Sequence, residues 1–145
     1  MEKIGQGGFA TIFKCKRLSD GSFNVLKHTG MSEAERQTVI NECSLIKALN
    51  SEYIVACEDV YDFDKKIWVF LELMDEDMSK IILNSSSQYS EDFCKYTLYC
   101  VAKGLQAMHR NNVLHRDIKS ENILIRKETG EIKIADLGLS VFLTE

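Results

Sequence analysis

The segment VLHRDIKSENILI, residues 113–125, sets a run of polar side chains between two apolar ends. Val113 and Leu114 form the first apolar end, and residues 123–125 form the second. These ends anchor the segment between a predicted helix and a predicted hairpin, so the polar residues between them are held as a fixed loop. The polar residues are His115, Arg116, Asp117, Lys119, Ser120, Glu121 and Asn122. Such a loop on a rigid scaffold is typical of a functional site.

The composition indicates one globular domain of ordinary length. The chain has 145 residues, of which 45% are hydrophobic and 28% are charged. Its formal net charge of −4 gives no basic surface, so nucleic acid and an anionic membrane are poor candidates as partners. Any phosphate binding must therefore be local. The sequence contains neither a long apolar run nor a signal-peptide pattern, which predicts no membrane segment.

The cysteines indicate a reducing compartment. They are odd in number, lack CxxC spacing and mostly lie in apolar segments, which is typical of free thiols packed in a core. They are Cys15, Cys43, Cys57, Cys94 and Cys100. We therefore predict that the protein is cytoplasmic, with the nucleus as the alternative.

In the first half of the chain, short runs rich in β-branched and aromatic residues predict strands separated by polar turns. One helix interrupts them, because Ser32 and Glu35 form a capping-box pattern and good helix formers continue to about Leu49. The predicted strands are residues 10–17, 23–28, 54–61 and 67–73.

In the second half, Ser90 begins a long helix that runs to about Arg110, with two acidic residues in its first turn. Asn111 and Asn112 can end this helix in a left-handed cap. The predicted inner stripe of the helix is Phe93, Thr97, Val101, Leu105 and Met108. The predicted strands of a second hairpin are residues 123–126 and 132–135. Strands first and a long helix later predict an α+β fold.

Two charged residues lie where apolar residues are expected. Lys27 shares a predicted strand face with Phe23 and Val25, and Glu42 lies on the apolar stripe of the first helix. A buried charge without a partner costs several kcal/mol, so each needs an opposite charge, and they can satisfy each other if the helix packs on the strands. The alternative is that either side chain reaches a solvated edge.

Asn122 and Asp136 are placed symmetrically about the second predicted turn. Each lies seven residues from Thr129, so in a regular two-stranded ribbon they would face each other. Opposed positions have Cβ atoms roughly 5 Å apart, close enough for two oxygen ligands to share Mg²⁺. Asp117, five residues before Asn122, can reach the same edge. The alternative is that Asn122 and Asp136 merely end strands, where both residue types are common.

The stretch IGQGGFATIF, residues 4–13, contains Gly5, Gly7 and Gly8. A turn of this kind can close over phosphates with its backbone N–H groups. A dinucleotide-binding motif would need a strand before it and a helix after it, but here a strand follows. The pattern favours a glycine-rich hairpin over a nucleotide, with a lysine one strand later.

Together these motifs resemble the eukaryotic-type protein kinase domain of the Ser/Thr class. The matching motifs occur in the family's order along the chain and are GQGGFATI, NVLK, Glu42, HRDIKSEN and DLG. The motif HRDIKSEN, with Lys119 two residues after Asp117, resembles the corresponding motif of Ser/Thr kinases. Residues 90–124 resemble the sterile-type group of these kinases. The resemblance implies a two-lobed fold. Residues 1–74 would form a complete-looking small β lobe with its helix, and residues 75–145 the first part of the helical lobe.

The resemblance also implies ATP and Mg²⁺ as cofactors and a protein with Ser or Thr as substrate. The implied catalytic residues are Asp117, Lys119, Lys27 and Glu42, of which Lys27 would hold the α- and β-phosphates. The implied nucleotide-binding residues are Gly5, Gly7, Gly8, Ile12, Val25, Lys27, Leu71, Glu72, Met74, Asp77 and Leu124. The implied metal ligands are Asn122 and Asp136.

The sequence also departs from the family pattern. Ala10 replaces the third loop glycine, Val25 the usual alanine and Leu137 the phenylalanine of the metal-binding turn. Only four residues precede Gly5, so a shortened first strand is expected, and the chain stops soon after the metal-binding turn. We expect the chain to be a fragment of a larger kinase and helix 90–110 to expose apolar surface. The alternative function is a non-catalytic, pseudokinase-like ATP-binding module or an inactive fragment. The sequence indicates no oligomeric state.

Overall fold

The computed structural model describes residues 1–6, 11–19, 21–30, 32–63, 66–84, 89–137 and 140–143. Of residues 5, 6, 27–30, 33–35 and 38 it describes the backbone alone. The chain divides into two compact units. The first unit comprises Met1–Ala48 and Ala56–Leu73, and the second comprises Leu49–Val55 and Met74–Glu145.

The first unit contains a five-stranded antiparallel sheet with the order β1-β2-β3-β5-β4. Its strands are β1 (Glu2–Gln6), β2 (Thr11–Lys16), β3 (Phe23–Gly30), β4 (Cys57–Phe63) and β5 (Lys66–Glu72), and helix α1 spans Glu33–Leu49 between β3 and β4. Two predicted strands, the helix and the following hairpin are thereby confirmed. A first strand of five residues is also present, although only four residues precede Gly5.

The central strands β3 and β5 and helix α1 contain most of the buried apolar residues described in this unit. They include Leu26, Ile67 and Val69 on the strands and Val39, Cys43 and Ile46 on the helix. An ion pair between Arg36 and Asp62 ties α1 to β4. A hydrogen bond from Cys43 lowers the pKa of the Cys57 thiol, which makes a second contact between the helix and the same strand.

The predicted start of the first hairpin is wrong by three residues. Strand β4 begins at Cys57, whereas Ile54 forms an isolated parallel bridge with Ile134 in the second unit. Ile54 is 2% exposed, so its apolar side chain is buried in that unit and does not extend the strand. An apolar run alone cannot tell these two environments apart.

The second unit contains two small sheets and two helices among its described residues. Its elements are β6 (Glu76–Asp77), α2 (Met78–Asn84), α3 (Glu91–Arg110), β7 (Val113–Leu114), a 3₁₀ turn (Ser120–Asn122), β8 (Ile123–Arg126), β9 (Glu131–Ile134) and β10 (Val141–Phe142). One sheet has the order β6-β8-β9, and the other pairs β7 with β10. All of these pairings are antiparallel. The predicted hairpin of β8 and β9 is confirmed.

Both ends of α3 lie where the sequence predicts them. The Ser90 hydroxyl caps the start by accepting a hydrogen bond from the Phe93 N–H at 3.1 Å. Asn112, with φ of 56°, is the left-handed residue just past the end. Local capping chemistry therefore determines the length of this helix.

The predicted inner stripe of α3 is confirmed in part, because each of its members is at least half-buried, but the most deeply buried line lies beside it. The fully buried residues are Cys100, Gly104 and Met108, spaced by four, so Met108 alone is shared with the prediction. The other predicted members, Phe93, Thr97, Val101 and Leu105, are half-buried. The stripe follows Gly104, because the absence of a side chain there lets the helix approach the backbone of Tyr53.

This close approach leads to a stability prediction. A Cβ atom at position 104 would lie 2.7 Å from Ile134 Cδ1 and 3.0 Å from the Tyr53 carbonyl oxygen. Overpacking of this kind costs about 1–3 kcal/mol, which should outweigh the gain of about 1 kcal/mol in helix propensity. We expect Gly104→Ala to lower the free energy of unfolding, measured by chemical denaturation.

The exposed position Ala102 on the same helix provides the control. Ala102→Gly should cost about 1 kcal/mol through propensity alone. If Gly104→Ala instead stabilised the protein by a similar amount, the close contact at position 104 would be contradicted.

The surface confirms one expectation and corrects another. Helix α3 exposes apolar side chains as expected, and Leu98 is 70% exposed. None of the five cysteines forms a disulfide. Core packing is confirmed for Cys43, Cys57 and Cys100 but is wrong for Cys94, which is exposed at the start of α3. None of the helices in the described ranges is both long and apolar enough to cross a membrane.

Candidate active site

The loop of residues 113–125 lies in the second unit and is held at both ends by strand pairing. Its first end, β7, pairs with β10, where Leu114 is opposite Val141. Its second end, β8, lies between β6 and β9. Val113 and Ile125 are buried, and the other apolar residues of the two ends are half-buried.

The side chain of Asp117 is held by two neighbours in the same loop. Its Oδ2 atom accepts a hydrogen bond from Lys119 Nζ at 2.8 Å and another from Asn122 Nδ2 at 3.0 Å. The Asn122 amide also donates to the Asp117 main-chain oxygen at 2.8 Å. Asn122 is buried, so these two bonds define its orientation.

These contacts fix the charges of the loop. The hydrogen bond from Lys119 lowers the pKa of Asp117 against the opposing effect of desolvation, and the Asn122 bond adds to it. The same hydrogen bond, which Lys119 donates, raises the pKa of Lys119, and the more distant charge of Asp136 acts in the same direction. Asp117 is therefore a carboxylate and Lys119 an ammonium group at neutral pH.

His115 joins the loop to the segment that precedes Asp136. The imidazole is 2% exposed, with Nδ1 3.2 Å from the Asp117 main-chain nitrogen and Nε2 3.1 Å from the Ala135 oxygen. Because the Asp117 N–H donates to Nδ1, the ring proton lies on Nε2 and is donated to Ala135. The sequence reasoning did not predict this bridge. Its one local signal is a histidine directly after an apolar strand.

Asp136 and Arg116 both have left-handed backbone conformations, with φ of 63° and 67°. Such conformations are uncommon for residues other than glycine and are often found at functional sites. Asp136 directly follows Ala135, whose N–H donates to the Asn122 oxygen at 2.9 Å. This main-chain bond and the His115 bridge set the position of Asp136 relative to the loop.

The predicted pairing of Asn122 with Asp136 is wrong by one residue. Ile123 pairs with Ile134, so Asn122 is opposite Ala135. The reason is the turn at residues 127–130, in which the Gly130 N–H donates to the Arg126 oxygen at 2.8 Å and Gly130 has φ of 75°. A turn of four residues places the centre of the hairpin between residues 128 and 129, not on Thr129. Asn122 and Asp136 are therefore diagonal neighbours.

The first unit brings together part of the predicted nucleotide site. Ile12 is opposite position 27, and Val25 is opposite Leu71, so these positions share one face of the sheet. Gly5 lies in β1, Glu72 ends β5, and Glu42 is half-buried on α1. Gly7, Gly8 and Ala10 lie outside the described residues, and so does the side chain of Lys27. The predicted contact of Lys27 with Glu42 stays a prediction.

The remaining predicted residues lie in the second unit. Met74 precedes β6, and Leu124 pairs with Asp77 between β8 and β6. Asp77 directly precedes α2 and caps it, since its Oδ1 accepts from the Lys80 N–H at 3.0 Å and from the Ser79 hydroxyl. Its Oδ2 lies 2.9 Å from Lys80 Nζ.

The cap makes stability depend on pH. Burial opposes ionisation of Asp77, but the hydrogen bonds from Ser79 and Lys80 outweigh it and lower the pKa to about 2. The ordinary value is about 3.9, so the stabilisation is complete above about pH 4 and is lost as the pH falls towards 2. Asp77→Ala should cost about 1 kcal/mol at neutral pH. The difference in unfolding free energy from wild type, measured by urea denaturation, should shrink over that window.

Asp92 is a suitable control because it is an exposed aspartate in the first turn of α3, not at a cap. Asp92→Ala should have a smaller effect on the free energy of unfolding. If the effect of Asp77→Ala kept its full size down to about pH 2, the cap would not depend on the charge of Asp77.

The chain also matches a known family over its whole length. The family model described as "Protein kinase domain" matches residues 1–145. The matched span contains both compact units, and therefore the loop of residues 113–125 and the sheet positions that contain Ile12, Val25 and Leu71.

Proposed function

Because the chain belongs to the protein kinase domain family, we propose that it transfers the γ-phosphoryl group of ATP to serine or threonine hydroxyls of a protein. The observation that carries this proposal is the contact of the Asp117 carboxylate with Lys119 and Asn122. Phosphoryl transfer depends mostly on positioning and on neutralising charge, and this arrangement offers both. The fold agrees, with a β-rich first unit and a second unit that contains the loop.

Each charged group of the loop has a role in the proposed reaction. The Asp117 carboxylate, which its hydrogen bond from Lys119 keeps ionised, orients the substrate hydroxyl and accepts its proton as the phosphoryl group is transferred. The Lys119 ammonium offsets charge on the phosphoryl oxygens. His115 does not contact the substrate in this proposal, since both ring nitrogens already bind the main chain.

The donor set at the end of the loop fits Mg²⁺. Asn122 offers an amide oxygen and Asp136 a carboxylate, and hard cations such as Mg²⁺ prefer oxygen ligands. Asn122 uses its NH₂ group to bind Asp117, so its orientation is set before any ion is bound. When bound, Mg²⁺ would neutralise charge on the ATP phosphates.

We further propose that the first unit and residues 74–77 bind the nucleotide. The glycine-rich stretch would cover the phosphates with main-chain N–H groups, Lys27 would hold the α- and β-phosphates, and Glu42 would orient Lys27. The residues proposed to contact the adenosine are Ile12, Val25, Leu71, Glu72, Met74, Asp77 and Leu124. Asp77 would bind the ribose only through oxygen positions not used by its cap. The shared sheet face of Ile12, Val25 and Leu71 supports the adenine assignment.

A non-catalytic ATP-binding module is the competing function. Two measurements on the same protein distinguish this module from a kinase. One is the shift in melting temperature with Mg-ATP, and the other is transfer of labelled γ-phosphate to peptides with Ser, Thr or Tyr. The proposal expects a thermal shift and label on Ser or Thr. A shift without transfer would support the module, label on Tyr alone would contradict the Ser/Thr class, and no shift would contradict both functions. Because none of the five cysteines forms a disulfide, we propose the cytoplasm, a reducing compartment, as the site of action.

A further inference from the structure

Residues 74–77, here called the linker segment, form main-chain bonds to the hairpin of β8 and β9. The Asp75 N–H donates to the Ile125 oxygen at 2.9 Å. Glu76 then pairs with Ile125, and Asp77 with Leu124. The backbone that leaves Met74 is therefore part of a sheet from its first residue.

Two acidic side chains of the linker segment bind one residue of the hairpin turn. Asp75 Oδ2 accepts from the Lys127 main-chain N–H at 2.7 Å. Glu76 Oε2 lies 2.7 Å from Lys127 Nζ, and this hydrogen bond raises the pKa of Lys127. The side chain of Glu76 is 23% exposed, so this end of the pair is mostly shielded from water. Lys127 is thus held through both its main chain and its side chain.

The side chain of Met74 is enclosed by the same hairpin. It is 8% exposed, and its Sδ atom lies 3.7 Å from Arg126 Nη2. Arg126 is in turn paired with Glu131 across the hairpin at 2.8 Å. Arg126 therefore holds the side chain of Met74, and the hydrogen bonds of the next residue, Asp75, hold its main chain.

We propose that Asp75 and Lys127 are positioning residues that fix the main chain of Met74 for contact with the base of the nucleotide. This inference rests on the proposed function, in which main-chain groups of Met74 bind adenine. An exposed ion pair contributes little by itself, but a charge-assisted bond to a backbone N–H holds the chain in one conformation. A binding group that is already ordered loses less entropy when the ligand binds. Asp75 and Lys127 would therefore belong to the nucleotide site without touching the nucleotide.

The test compares binding of Mg-ATP with binding of Mg-tripolyphosphate, which has the phosphates but no base. Asp75→Ala should weaken Mg-ATP binding by about fivefold, within the range expected for one ordinary hydrogen bond, because the lost bond acts only through the position of Met74, and should leave tripolyphosphate binding unchanged. Asp75→Asn should restore most of the affinity, because its amide oxygen can accept the same N–H. Exchange of the amide proton at position 75 should be faster in the alanine variant than in wild type.

Asp59→Ala is the matched control, since Asp59 is an exposed aspartate on β4 in the other unit. It should bind both ligands as wild type does. If wild type binds Mg-ATP and Asp75→Ala binds it equally well, the positioning role is wrong and the proposed function stands. If Asp75→Ala weakened binding of both ligands by the same factor, the positioning role would also be overturned, because such a result would indicate a general loss of structure. If wild type does not bind Mg-ATP, the proposed function itself fails.

Discussion

Asp117→Asn is expected to reduce phosphoryl transfer by about 10²- to 10⁴-fold, the range for loss of a general base. Asparagine keeps the shape of the side chain and can still accept a hydrogen bond from Lys119. It cannot accept a proton or supply negative charge to orient a hydroxyl. Binding of Mg-ATP should change little, because Asp117 is assigned to the substrate hydroxyl and not to the nucleotide. Initial rates of transfer and a titration with Mg-ATP measure the two effects separately.

Asp59→Asn is the control for this variant, since it removes one negative charge from an exposed position on β4. Its transfer rate should equal that of wild type. Retention of more than about a tenth of the wild-type rate by Asp117→Asn would contradict the assignment of Asp117 as the base. Because Lys119 lowers the pKa of Asp117, moderate acidification should not reproduce the effect of the substitution.

Asp136→Asn is expected to lower the transfer rate by on the order of 10²-fold and to raise the Mg²⁺ concentration needed for half-maximal rate. Asparagine is chosen because Asp136 has φ of 63°, a left-handed conformation that asparagine adopts readily. The backbone should stay as it is, so the loss can be attributed to the carboxylate. The rate is measured as a function of Mg²⁺, together with the melting temperature.

Asp136→Ala distinguishes the effect of the backbone conformation from the effect of the lost charge. Alanine removes the same charge but should add roughly 1–2 kcal/mol of strain in the left-handed region. Its melting temperature should be lower than that of Asp136→Asn. Asp59→Asn, at an exposed site on β4, should leave both the Mg²⁺ dependence and the melting temperature unchanged. A wild-type Mg²⁺ dependence in Asp136→Asn would remove Asp136 from the proposed metal site.

The parts of the fold that sequence predicts well are those decided by neighbouring residues. Ser90 caps α3 through a residue three positions away, and Asn112 ends it with its own backbone conformation. The loop of residues 113–125 is similar, because Asp117, Lys119 and Asn122 contact one another within five positions. Short-range chemistry of this kind is visible in the sequence.

Contacts between distant segments were less predictable. The stripe of α3 turns towards Gly104 because Tyr53 and Ile134 approach the helix there, and helical periodicity does not contain that fact. The hairpin register depends on the left-handed Gly130, which moves Asn122 by one residue relative to Asp136. Small changes in a turn shift every cross-strand pair, so register is easily misjudged from symmetry alone.

The same distinction applies to the candidate site. His115 lies in the loop of residues 113–125, yet its hydrogen bond to Ala135 joins residues 20 positions apart. The sequence resemblance assigned Asp77 to the nucleotide and gave Asp75 no role, whereas in the structure Asp77 caps α2 and Asp75 binds the Lys127 main chain. Tertiary contacts decide such roles, and residue type alone does not.

The main-chain bond from the Ala135 N–H to the Asn122 oxygen has a thermodynamic consequence for the proposed ion. This bond holds the chain segments of Asn122 and Asp136 together without an ion. The pairing of β7 with β10 holds the flanking segments together in the same way. Some metal sites form only when the ion binds, and folding of those proteins then depends on the metal. Here folding and ion uptake should be separate events. A chelator should therefore abolish transfer while leaving the circular dichroism spectrum unchanged.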